Sequence, residues 1–209
     1  SVDAAAARRH MEQAAQALHP DNALDRTTYE HQRGMLALLE GDTPTALRLM
    51  RAAVASARAS GFQMREHIAL IANALAAAHS GEHAEAQQAL DQVFSHPMFA
   101  ACRWHHWVGG CVAAYAALLR DDDAAVLRHL RAALHVAREC GYRHGPMLFL
   151  CGDMMSRLCA FALLHGVEPD IARDIAVRNQ LKAPPQADGS WPWAVRVRAL
   201  GALEVEIGG

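Results

Sequence analysis

Three turn-like segments recur at a fixed spacing along this chain, and that period limits the folds open to it. They are Leu39-Glu40-Gly41-Asp42, His79-Ser80-Gly81-Glu82 and Leu119-Arg120-Asp121-Asp122; Gly41 to Gly81 is 40 residues, and Gly81 to Asp121 is again 40. Each lies between two apolar-periodic segments rich in Ala, Leu, Arg and Glu, which are good helix formers. A Gly or Asp tolerates the left-handed conformation that closes one helix before another begins. The period therefore predicts helix-turn-helix units, repeated in register.

Smaller signals keep the same phase. Gly34, Ala74 and Ala114 sit upstream of the turns, and Ala46, Ala53, Ala86 and Ala133 sit downstream, where two helices must approach closely. Gly61-Phe62 and Gly141-Tyr142, two periods apart, read as glycine caps followed by an aromatic. The pattern predicts helices over 2–18, 27–39, 44–60, 63–79, 83–94, 101–119, 123–140, 147–165 and 168–178. Proline interrupts at His19-Pro20-Asp21-Asn22 and His96-Pro97, predicted loops between hairpins. One amphipathic hairpin cannot hide its apolar face alone, so neighbours are expected to stack into a right-handed α-α superhelix.

The last fifteen positions differ. Val195, Val197, Leu203, Val205 and Ile207 alternate around Gly201, which predicts a short β-hairpin. A hairpin of that size has too little core to stand alone. The expected organisation is a helical repeat domain over 1–182, a Pro/Trp linker over 183–194 and the first, truncated hairpin of another domain over 195–209.

Composition removes several function classes. With 52% hydrophobic and 20% charged residues the chain can bury a sizeable core. A net charge of −2 offers no footprint for nucleic acid, whose binding rests on phosphate neutralisation. Lys182 is the sole lysine, so no phosphate loop of the G-x-x-x-x-G-K type exists. No long apolar run or leader-like start is present, and a cytoplasmic, non-membrane protein is expected. The five cysteines, Cys102, Cys111, Cys140, Cys151 and Cys159, form no C-x-x-C and are expected to be reduced and buried.

The phase Gly34, Gly41, Ala46, Ala53 resembles the small-residue positions of the tetratricopeptide motif. The sequence departs from that consensus in its 40-residue unit, in lacking an early Trp, and in placing Asp121 at the third turn; these departures resemble the longer repeats of MalT-like bacterial regulators. A sharper likeness lies in Trp191-Pro192-Trp193-Ala194-Val195-Arg196-Val197-Arg198-Ala199-Leu200-Gly201-Ala202-Leu203-Glu204-Val205. This run is similar to the junction that joins the repeats to a C-terminal winged-helix and bacterial transcriptional activator domain in large MalT-like, LuxR-type regulators. The stretch from Ala162 through Arg178 to Pro184-Pro185 is similar to their last hairpin and proline linker. The resemblance implies an all-α array of tetratricopeptide-like hairpins with a short β-like tail. It also implies a place between a nucleotide-binding switch module and a DNA-binding part.

Candidate site residues follow from the expectation that first helices line a concave groove. Arg33 and Asn73 hold one phase, 40 apart, and could form a polar ladder or bond neighbouring helix ends. Tyr29 lies one turn before Arg33. Trp104, His105, His106 and Trp107, followed by Cys111 and Tyr115, could hold an apolar or cationic ligand, but the three- and four-residue steps of Trp104, Trp107, Cys111 and Tyr115 also describe a core stripe. The ligand- or partner-binding candidates are thus Tyr29, Arg33, Asn73, Trp104, His106, Trp107 and Tyr115. His79 and His83 are separated by a turn, while His105 with His106 and His129 with His135 face apart, so no metal site is expected. Asp121, Asp122 and Asp123 read as a helix start, and Asp153 and Arg157 as an intrahelical ion pair.

No nucleophile has a base at useful spacing, so neither an enzyme nor a cofactor is expected. The expected function is a ligand- or protein-binding sensor module of a bacterial transcription regulator. Its effector, a small molecule or protein, would occupy the repeat groove and bias a flanking DNA-binding domain. Alternatives are a structural spacer that forms a homodimer, and a free-standing adaptor that binds a partner peptide.

Overall fold

The computed structural model describes residues 4–19, 22–144, 154–198 and 204–207. They form ten helices, α1 (Ala4–Ala17), α2 (Ala23–Glu40), α3 (Thr43–Ser60), α4 (Gln63–His79), α5 (His83–Ser95), α6 (Pro97–Ala101), α7 (Arg103–Leu118), α8 (Asp123–Cys140), α9 (Met154–Leu164) and α10 (Pro169–Arg178), followed by β1 (Val195–Arg198) and β2 (Glu204–Ile207). The repeat-bearing part is all-α. No helix among the described residues is long and apolar enough to cross a membrane.

The forty-residue turns are closed in one way. Gly41 and Gly81 take φ of 79° and 76°, and Asp121 takes the same left-handed region at 56°. In each turn the next residue's N–H reaches back five positions, from Asp42, Glu82 and Asp122 to the carbonyls of Ala37, Ala77 and Ala117 at 2.9, 2.9 and 3.1 Å. This six-to-one bond satisfies a carbonyl that the helix end would leave orphaned. The acceptor is alanine each time because the helices are pressed together there: all three alanines are buried. Asp42 and Asp122 then cap the next helix, their carboxylates accepting from the backbone N–H of Thr45 and Ala125. Of the three aspartates expected to start α8, Asp122 is the one that caps.

Local chemistry also explains the shifted boundaries. Helix α2 starts four residues early because Asn22 Oδ1 accepts from the N–H groups of Leu24 and Asp25. The helix expected over 101–119 is α7, and a short, unexpected α6 precedes it: Pro97 opens α6, and extended Cys102 separates it from α7. Proline there starts a helix rather than only ending one. Of the helix expected over 147–165, residues 154–164 form α9, and its start lies outside the described residues, as do Pro20 and Asp21 of the first predicted loop.

Helices adjacent in sequence pack on one another, and α4 also lies against α2 and α7. Small residues set the closest approaches. A Cβ built on Gly110 of α7 would meet the Ala133 Cβ of α8 at 2.9 Å, and one on Gly34 of α2 would meet Met50 of α3. The inner stretches of α4 and α7 are mostly apolar and are enclosed: every residue from Ala69 to Ala78 and from Trp107 to Ala117 is buried. Helix α1 stands apart, with most of its residues exposed.

The tail forms the two-stranded antiparallel hairpin that its alternation predicts, with Val195 opposite Ile207 and Val197 opposite Val205. Val195 and Val205 are more than half exposed, so nothing in the described structure covers that pair.

Candidate functional site

The enclosure of α4 and α7 bears directly on the predicted groove. Over those stretches the first helices are packed on most of their sides, and two of the candidate residues are core. Trp107 is fully buried and stacks on Tyr142 at 5.5 Å between ring centroids. Tyr115 is buried between His79, at 5.2 Å, and the guanidinium of Arg157, at 5.6 Å. The same-face spacing of Trp107, Cys111 and Tyr115 is the spacing of a packing stripe, and packing is the use this structure makes of it. Arg157 faces Tyr115; the ion pair predicted with Asp153 lies outside the described residues.

Arg33 and Asn73 share a sequence phase but not an environment. Arg33 is exposed on α2 and lies over the half-buried Tyr29 ring at 5.6 Å, whereas Asn73 is buried in α4. The reason is position in the stack: α4 has a packed helix on each side, while α2 has only the loosely attached α1 on one of its sides.

Asn73 forms part of the floor of a polar cleft of about 500 Å³ between α3 and α5. Helix α3 supplies Arg51 and Arg58, α4 supplies Asn73 and Leu70, and α5 supplies Glu85 and Gln92. Arg51 Nε donates to both Glu85 oxygens, at 3.0 and 3.2 Å, and Asn73 Nδ2 donates to Oε1 at 3.2 Å. Those bonds, the one from Arg51 first, hold the Glu85 carboxyl below its ordinary range. Arg58 donates to Glu66 and Gln92, joining α3 to α4 and α5. Asn73 Oδ1 is buried and has no hydrogen-bond partner among the described residues. The cleft therefore offers carboxylate, guanidinium and amide groups over an apolar floor of Val54, Leu70 and Ala89, and among the described residues no hydroxyl or thiol lines it. Such a lining suits hydrogen-bonded recognition of a polar solute or side chain.

A second cluster lies where α4, the turn before α6, and α7 meet. His67 is fully buried, with the His105 ring at 4.2 Å and the His96 ring at 5.1 Å. Among the described residues neither His67 nitrogen has a hydrogen-bond partner, and burial, reinforced by the two neighbouring imidazoles, lowers its pKa to about 3. His106 stacks on Phe99 at 4.1 Å, and Trp104 meets His105 edge-on at 5.4 Å; both are half-buried. Among the described residues no three His, Cys, Asp or Glu side chains are placed to hold a metal ion.

Sequence reasoning did not single out His67, His96, Arg51 or Glu85. For His67 a signal existed, since it holds the phase of Thr27 and Trp107, 40 residues on either side, and all three are buried. For Arg51 and Glu85 the pairing crosses 34 residues between two second helices, where the groove expectation did not look. The cysteines also depart from expectation: Cys111 and Cys159 are buried, but Cys102 is half-buried and Cys140 is exposed, while Cys151 lies outside the described residues. No family model, curated protein or solved structure matches this chain.

Proposed function

We propose that this chain is the effector-binding helical-repeat module of a bacterial transcription regulator of the MalT-like kind, and that the cleft between α3 and α5 is where the effector sits. In this reading the hairpins stack as a right-handed tetratricopeptide-like superhelix in the cytoplasm, and the β1–β2 hairpin begins the winged-helix domain that binds DNA. The module itself performs no catalysis, needs no cofactor and holds no nucleic acid. The observation that carries the reading is the sequence of parts: hairpins closed by one turn geometry every 40 residues, then Trp191-Pro192-Trp193, then a two-stranded hairpin with Val195 and Val205 exposed.

Coupling requires that the effector bind one arrangement of the array better than another. A cleft spanning α3, α4 and α5 suits this, because a solute bridging Arg51, Asn73 and Gln92 touches two successive units at once. The test is a thermal-melting screen of the chain against panels of small polar metabolites, with light scattering to fix its mass. A melting shift that Asn73→Leu abolishes supports the reading. A tight dimer that no solute shifts would replace it with the spacer reading, which the exposed Val195 and Val205 favour.

A further inference from the structure

The α7–α8 hairpin has an open end, opposite its turn, where α7 begins and α8 finishes. The Arg103–Glu139 ion pair crosses that end. It sets residues 103 and 139 level, so Cys102 and Cys140, each one step further out, are brought to the same end of the hairpin. Cys102 is the extended residue before α7, and Cys140 is the last residue of α8, with Gly141 turning the chain back in the left-handed region at φ 70°. Tyr142 then lies flat on buried Trp107, held by its N–H bond to the Ala137 carbonyl at 2.9 Å.

The surroundings of the two sulfurs differ from those of the other described cysteines. Cys140 is exposed, and the Arg103 guanidinium and the Tyr142 hydroxyl both lie within interaction range of its sulfur. Cys102 is half-buried and within electrostatic reach of the same Tyr142 hydroxyl. Cys111 and Cys159 are sealed in the core, where burial pushes the thiol of Cys159 up to about 12 and that of Cys111 higher still. A thiol that cannot ionise does not attack an oxidant.

We propose that Cys140 and Cys102 form a peroxide-reactive dithiol, with Cys140 as the attacking sulfur and Cys102 as the resolving one. In the first step the Cys140 sulfur attacks one peroxide oxygen; an S–O bond forms, the O–O bond breaks, and the leaving oxygen departs as water with the thiol proton. Arg103 and Tyr142, beside the sulfur, are placed to donate to the sulfenate oxygen. In the second step the Cys102 sulfur attacks the Cys140 sulfur; an S–S bond forms, the S–O bond breaks, and that oxygen leaves as a second water with the Cys102 proton. Two thiols are oxidised and one peroxide is reduced to two waters. The product staples the open end of the hairpin and restricts the unfolded chain between positions 102 and 140. This inference does not rest on the effector-binding reading.

The test is treatment of the full chain with a small excess of hydrogen peroxide, followed by intact mass and peptide mapping without reductant. The expected product has lost two hydrogens, carries a Cys102–Cys140 link, and melts roughly 5–10 °C higher until a dithiol reductant restores it. In Cys102→Ser the same treatment with a sulfenate trap labels Cys140 and gives no link. In Cys140→Ser neither link nor label forms at Cys102. A link that uses Cys151, label on Cys102 in the Cys140→Ser protein, sulfenate on Cys140 that never resolves, or a free-thiol count unchanged by peroxide would each overturn the proposal.

Discussion

Mild acid should loosen this fold well before its carboxylates titrate, and His67 provides the sharpest measure. In the folded chain His67 stays neutral down to about pH 3, because its ring is fully buried against two other imidazoles. In the unfolded chain it takes a proton at its ordinary value of 6.5. Its folded pKa is thus the depressed one: the contribution is intact above the unfolded value and is lost as pH falls below 6.5 toward 3. At about pH 5.5 the unfolded state gains RT ln(1 + 10), about 1.4 kcal/mol, that the folded state does not share. His31 behaves alike, lowered to about 4 by burial and by Arg65, and adds about the same. Burial lowers His129 as well. Urea unfolding at about pH 7.5 and about pH 5.5 measures the total, which should be about 3 kcal/mol or more from these groups. His67→Leu, which keeps an apolar side chain of similar bulk in the site, isolates the single contribution. Its stability at neutral pH should lie within about 1.5 kcal/mol of the parent, and its loss on acidification should be smaller by about 1.4 kcal/mol. Parallel losses in parent and variant would refute the assignment of a buried neutral imidazole at this position. The window above pH 5 keeps Glu85 and Asp174 largely out of the measurement, since their ordinary values in the unfolded chain, 4.5 and 3.8, lie below it and their arginine partners lower them further in the fold.

Three further outcomes follow from the packing. Glu85→Ala should destabilise by about 1–2 kcal/mol in chemical denaturation, because the buried Asn73 amide loses its acceptor, whereas Arg51→Ala, at a side chain 54% exposed, should cost under about 1 kcal/mol; equal losses would remove Asn73 from the account. Gly110→Ala should lower the denaturation midpoint by a net of roughly 1–2 kcal/mol, since its Cβ would press on the Ala133 Cβ, while Gly34→Ala should stay within about 1 kcal/mol, since it meets the flexible end of Met50. Gly81→Ala should cost about 1 kcal/mol for its φ of 76°, and Gly81→Asn less, because asparagine visits that region readily, as Asp121 does at the third turn; thermal melting of the pair decides it.

The α-helical class, the forty-residue unit, the left-handed turns at Gly41, Gly81 and Asp121, and the alternating tail are all consequences of local chemistry. Glycine's freedom, a capping carboxylate and apolar period act within a few residues, so they can be read from the chain itself. The start of α2 at Asn22 and the opening of α6 at Pro97 are of the same kind, and reading the proline only as a stop is what hid α6. Which face of each helix meets water is not local. Arg33 and Asn73 occupy one phase, yet one is exposed and the other buried, because burial depends on how many neighbours a helix has in the stack. Trp107 and Tyr115 could have lined a groove or filled a core, and the packed helices around α7 make them core. The Arg51–Asn73–Glu85 cleft, the two imidazoles around His67, and the two sulfurs at the end of the α7–α8 hairpin join residues 12 to 38 positions apart. Such meetings depend on the crossing of whole helices, a property that no short stretch of sequence carries.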